Sequence, residues 1–139
     1  MYTLFGIIVL FVILDALADA TRDDKKEISH LLQALFVLCA LCLAIVYKGE
    51  GWRSHLIFVS WYAANRLFLF DLVYNKTRGL YLDYIGTTCW WDKIIYKILV
   101  KLRMPPALFV FDKFVVWFIV NGAILHPNGV LYKLMYYEL

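Results

Sequence analysis

The chain has 139 residues, 63% of them hydrophobic and 18% charged. A soluble domain of that length needs a larger polar surface, so the composition excludes an ordinary water-soluble globule. A net charge of +3 excludes a strong nucleic-acid footprint, and three cysteines (Cys39, Cys42 and Cys89) do not make a disulfide framework.

The apolar residues fall in long blocks, which is the pattern of membrane spans. The first block covers roughly residues 2–21. Ala16-Leu17-Ala18 has the form of a signal-peptidase site. No basic residue precedes the block and Asp15 and Asp19 end it, so it reads as a retained helix. A charged turn follows at residues 21–27, where Asp24 and Glu27 have capping-box spacing for the next helix. The second span covers about 30–47 and stops at Gly49-Glu50-Gly51. The third covers about 54–75. A connection rich in aromatics leads to about residue 88. The fourth span starts after Pro105-Pro106 and runs over 106–125. His126-Pro127-Asn128-Gly129 is a turn, and Tyr132, Tyr136 and Tyr137 mark a short interfacial end.

Residues 89–103 form a separate element. Trp91, Ile94, Ile95, Ile98, Leu99 and Leu102 share one helical face, and Lys93, Lys97, Lys101 and Arg103 lie elsewhere. A basic amphipathic helix between apolar spans is expected in the membrane interface, with Thr87 or Thr88 capping its start. The expected fold is therefore all-α: one transmembrane domain over residues 1–139, an integral membrane four-helix bundle with an additional basic amphipathic interfacial helix.

Basic residues set orientation. The connections at one end hold nine (Arg22, Lys25, Lys26, Lys76, Arg78, Lys93, Lys97, Lys101 and Arg103), and the other end holds Lys48, Arg53 and Lys133. Loops 22–29 and 76–105 are thus expected to be cytoplasmic, with both termini outside, in a bacterial inner (plasma) membrane.

Charges inside a bilayer cost on the order of 2.5–3.5 kcal/mol each, so each needs a reason. Asp15 and Asp19 are one turn apart in the first span. His30 and Gln33 start the second. Asn65, Arg66, Asp71 and Asn75 lie in the third, and Asp112 and Lys113 in the fourth. On the inferred topology these fall in the cytoplasmic half, and the outer half is nearly free of charge. Four carboxylates face two cations, Arg66 and Lys113. If they share one cavity, the excess must be met by protons, by cationic His30, by the basic loops or by a bound cation. Asp15, Asp19, Asp71 and Asn75, with His30 and Asp112 as additions, are candidate ligands for a divalent ion. The oxygens suit Mg²⁺, Ca²⁺ or Mn²⁺, and His30 would admit zinc or iron. The simpler alternative is that the same residues pair with one another and fix helix register.

Residues 75–92 hold few solvating side chains, so the loop is expected to pack over the mouth of this pocket. Tyr84, Gly86, Thr87, Thr88 and Asp92 are its candidate contributors, and Gly86-Thr87-Thr88 reads most simply as a turn and cap. Cys39-Ala-Leu-Cys42 lies in mid-helix and reads as small residues at a helix contact. The sequon at Asn75 falls on the cytoplasmic side and is discounted. No Walker loop, H-E-x-x-H or nucleophile elbow is present.

Phe70-Asp71-Leu72-Val73-Tyr74-Asn75, then Gly79, Tyr84-Ile85-Gly86-Thr87-Thr88 and Asp92, resembles a pattern in small uncharacterised membrane proteins of bacteria and their phages. The likeness spans roughly residues 70–92, with a looser match around Asp15 and Asp19. It implies no activity, and it groups the loop and the carboxylates as one unit.

Three functional classes follow. The first is a cytoplasm-facing carboxylate pocket that takes a cation or small polar ligand. The second is a metal-dependent enzyme acting on lipid headgroups or phosphoesters. The third is an accessory subunit or oligomeric channel with a structural polar network. The expected partner is the lipid bilayer. A homo-oligomer or larger membrane complex is open, and nucleic acid is not expected.

Overall fold

The computed structural model of the chain describes residues 1–48, 51–85 and 90–136, without the side chains of residues 90–92, 130, 135 and 136. The described residues are helical with turns and contain no strand. The helices are α1 (Tyr2–Thr21), α2 (Lys26–Val46), α3 (Gly51–Asn65), α4 (Asp71–Thr77), α5 (Trp90–Leu102), α6 (Pro106–Leu125) and α7 (Val130–Tyr136). A π turn over Arg66–Phe70 joins α3 to α4 without a break. Four helices are long and apolar enough to cross a membrane: α1, α2, the continuous Gly51–Thr77 rod and α6. The rod has 27 residues against 20 or 21 in the others. At 1.5 Å per residue it is about 40 Å long, against about 30 Å for a hydrocarbon layer.

The bounds of α1 and α6 are those the sequence dictates. Pro106 sits at the first position of α6, where a missing N–H costs nothing. At the start of α2 the expected cap does not form. Lys25 precedes the helix without a side-chain cap, and Asp24 instead accepts a hydrogen bond from Arg78 Nη1 at 3.2 Å. A full cation is the stronger partner for that carboxylate. Thr87 and Thr88, the expected caps of α5, lie outside the described residues.

α1 is the central helix. Leu4, Ile8, Val12, Ala16 and Ala20 recur every four residues and are all buried. α2 packs along α1, the Gly51–Thr77 rod packs on it as well, and α6 packs on α3 and the π turn. α7 closes against α3 and α6. The order of contact is α2–α1–α3–α6; α1 is antiparallel to α2 and parallel to the rod, and the rod is antiparallel to α6. The apolar core, Leu4, Ile8, Leu43, Trp61 and Ile124, gathers at the end that carries the termini. At the other end the α1 stripe narrows to alanine, and Ser29 Oγ donates to the Ala18 carbonyl at 2.9 Å across the close α1–α2 contact.

The outward faces are apolar. Leu31, Leu35, Leu38, Leu41 and Ile45 of α2, and Leu108, Phe111, Phe118 and Ile119 of α6, are all exposed. Water-soluble chains do not leave such faces open, whereas lipid accepts them. Cys42 is on the exposed face of α2 and Cys39 is half-buried, so the C-x-x-C pair as a whole does not form a helix contact.

Ala16→Leu would force a larger side chain into the contact surface of α1. We expect it to lower stability by about 1–3 kcal/mol, read as an earlier thermal transition of the detergent-solubilised chain. An unchanged transition would show that α1 is not close-packed there.

Candidate functional site

The in-span charges are brought together in pairs rather than in one cluster. Arg66 Nη1 bonds Asp15 Oδ2, joining the start of the π turn to α1. Lys113 Nζ bonds Asp71 Oδ2, joining α6 to the first residue of α4. Each cation also lies over an aromatic ring one turn away on its own chain segment. The Arg66 guanidinium is 4.3 Å from the Phe70 centroid, and the Lys113 ammonium is 4.4 Å from that of Phe109. A carboxylate on one side and a ring face on the other let a cation sit away from bulk water.

The remaining candidates go elsewhere. Asp19 pairs with Arg22 at 3.3 Å across the C-terminal end of α1. His30 is exposed at the start of α2, in neither pair. Asp112 is exposed on α6 and makes no ion pair among the described residues. Asn75 is buried, and its Nδ2 donates to the carbonyls of Tyr84 at 3.0 Å and Leu82 at 3.5 Å. Its amide nitrogen therefore holds the 80–85 segment down. Gly86, Thr87 and Thr88 lie outside the described residues, as does the side chain of Asp92. Among the described residues no three His, Cys, Asp or Glu side chains converge as a metal site.

The 80–85 segment is set by the end of α4. Gly79 takes φ 66°, the Gly79 N–H bonds the Lys76 carbonyl, and the Leu80 N–H bonds the Asn75 carbonyl at 2.8 Å. This is the Schellman termination that favours glycine. Arg78 then reaches back to the Ala20 carbonyl at 3.3 Å and to Asp24, tying α4 to the end of α1. Between the folded-back segment and the helices is a small cavity lined by Phe68, Asp71, Leu82, Tyr84, Phe109 and Lys113, among others. Its volume is about 20 Å³. That is room for roughly one water-sized species. Of the loop residues named from the sequence, Tyr84 lines this cavity.

A second, uncharged polar assembly lies between the ion pairs and the apolar core. Trp61 Nε1 donates to Asn121 Oδ1 at 2.7 Å, and Trp117 Nε1 donates to Asn65 Oδ1 at 2.9 Å. Each asparagine Nδ2 donates to the carbonyl four residues back, Asn65 to Trp61 at 2.9 Å and Asn121 to Trp117 at 2.7 Å. Asn65 Nδ2 also approaches Asn121 Oδ1 at 3.3 Å. The two antiparallel helices thus present the same device to each other, Trp61-x-x-x-Asn65 and Trp117-x-x-x-Asn121. This repeated W-x-x-x-N is the sequence signal for the clasp. Reading Asn121 as a lone polar residue in an apolar run conceals it.

Comparison with protein families, with curated proteins and with solved structures finds no match to this chain.

The clasp predicts strong coupling. Asn65→Ala and Asn121→Ala each strand an indole N–H, and each should cost about 1–3 kcal/mol. The double variant should cost less than the sum, with a coupling of order 1 kcal/mol in a thermal or denaturant double-mutant cycle. Simple additivity would show that the two amides act independently.

Proposed function

We propose that this is a non-catalytic integral membrane protein of four spans whose polar layer joins helices. Its connections at 22–29 and 76–105 face the cytoplasm, its termini face outward, and α5 lies in the cytoplasmic interface. The pairing of each in-span cation with a carboxylate on another helix carries the reading. Asp15 and Asp71 are engaged singly by Arg66 and Lys113, so three of the four spans, α1, the rod and α6, are joined by charge-assisted contacts made between helices, not around a common ion. A headgroup hydrolase asks for several ligands on one metal and a cavity the size of a headgroup, and neither feature supports that class among the described residues.

A second reading is favoured by one observation. The cavity beside Asp71 and Lys113 has space for a water-sized polar species, and only 13% of the Lys113 side chain is exposed. A single cation or a small polar molecule seated there would bridge Asp71 to the 80–85 segment.

One experiment separates the two. The purified chain is assayed for bound metal and for its melting temperature, beside Asp15→Asn, Asp71→Asn and Lys113→Met. The joining role predicts no stoichiometric metal and a loss of about 1–2 kcal/mol in every variant. It also predicts recovery in the swapped pair Asp15→Arg with Arg66→Asp. Stoichiometric metal that disappears in Asp71→Asn and persists in Asp15→Asn would overturn the joining role in favour of the pocket.

A further inference from the structure

We propose that α5 is a binding surface for anionic phospholipid headgroups. This rests on the interfacial placement of α5 given above and adds the chemical identity of its partner.

Three features of the helix point to it. First, α5 packs extensively on no other helix among the described residues, and Leu99 is its one buried side chain among them. Its long apolar side chains are left uncovered. Ile94, Ile98 and Leu102 recur every four residues and form one stripe, with Ile98 50% and Leu102 60% exposed. Second, Lys93, Lys97 and Lys101 recur at the same spacing one residue earlier, and all three are exposed. At about 100° per residue the lysine stripe runs parallel to the apolar stripe, about a quarter-turn around the helix. With Ile94, Ile98 and Leu102 turned into acyl chains, that quarter-turn puts the ammonium groups at the level of the lipid phosphates, and the long stems reach outward. No carboxylate within ion-pair distance neutralises these lysines among the described residues.

Third, the helix ends on an arginine where the backbone favours glycine. Arg103 takes φ 54°, with the Arg103 N–H on the Val100 carbonyl at 3.1 Å and the Met104 N–H on the Leu99 carbonyl at 2.9 Å. The same termination at the end of α4 uses Gly79 at φ 66°. An L residue in this conformation incurs a steric cost that glycine avoids. Arg103 keeps a fourth cation at the C-terminal end of the helix despite that cost. The charge complement of four cations over an apolar stripe is an anionic leaflet, whose surface potential attracts juxtamembrane lysine and arginine.

The test uses the full-length chain with Cys39, Cys42 and Cys89 replaced by alanine, in nanodiscs of equimolar phosphatidylglycerol and phosphatidylcholine. Native mass spectrometry reads which lipid the protein retains. Labelling of Ile98→Cys by a membrane-impermeant maleimide reads whether α5 is embedded. We expect phosphatidylglycerol to be enriched about fivefold, with enrichment falling as salt rises. Enrichment should vanish in the Lys93→Gln, Lys97→Gln, Lys101→Gln triple variant and weaken in Arg103→Gly, whose melting temperature should hold or rise. Ile98→Cys should be protected throughout. Protection without enrichment, or enrichment that survives the triple variant, overturns the proposal and leaves α5 interfacial. Free labelling of Ile98→Cys in every disc overturns both.

Discussion

The reciprocal clasp between Trp61-x-x-x-Asn65 and Trp117-x-x-x-Asn121 sets the geometry on which the rest depends. Two indole N–H groups, two amide nitrogens, two amide oxygens and two helix carbonyls satisfy one another. In hydrocarbon no water would compensate a broken member, so the alternatives to this register are costly. The clasp fixes α3 and α6 as antiparallel neighbours. One helical turn further, Phe68 packs on Phe114 and Trp117. The π turn over Arg66–Phe70 adds a residue to the rod's side of the pairing. The register is displaced, and Asp71 meets Lys113 while Phe111 stays exposed.

The two ion pairs follow from the same constraint applied to charge. A lone cation within a span is expensive, and each one here has both a carboxylate from another helix and a ring from its own segment. Arg66 ties the rod to α1, and Lys113 ties it to α6. The row α2–α1–α3–α6 thus has a polar fastening at every step, the first of them the Ser29 hydroxyl on the Ala18 carbonyl. These contacts are worth little singly, about 0.6–2 kcal/mol each. Their value is that each is satisfied in one register only.

Depth along a span was legible in the sequence, and azimuth was not. Blocks of hydropathy, the proline at 106 and the charged turn after Thr21 mark in the sequence where α1 and α6 begin and end. The grouping of carboxylates and cations at one end was also readable, because position along the helix is a matter of counting. Which of them would meet depends on helix rotation. One polar residue per face carries too little periodicity to set rotation, and the π turn shifts it again. Asp15, Asp19 and Asp71 were therefore readable as neighbours in height, yet the fold turns them to separate partners. Ser29, beside His30, gave no signal in the sequence either, yet it is the residue that meets α1. The smaller residue faces α1 because only a hydroxyl fits where alanines bring the helices close. Asn121 was hidden by its apolar surroundings, although its spacing from Trp117 repeats that of Asn65 from Trp61.

This distribution of contacts also explains why the two ends of the molecule differ. At the end carrying the termini, Leu4, Ile8, Leu43, Trp61 and Ile124 interdigitate. Between helices in lipid such packing gains dispersion energy but little hydrophobic driving force, since lipid tails are as apolar as leucine. Packing alone would tolerate sliding. At the opposite end the connections must leave the hydrocarbon, and water competes for every polar group there. Asn75 and Arg78 answer that competition by binding backbone carbonyls of the 80–85 segment and of α1. Both turn loop and helix ends into fixed parts of the bundle. The clasp lies between these regimes, where lipid excludes water and the apolar core holds the helices close enough for hydrogen bonds to form. The apolar end thus supplies proximity, the clasp supplies register, and the charged end converts that register into a defined surface.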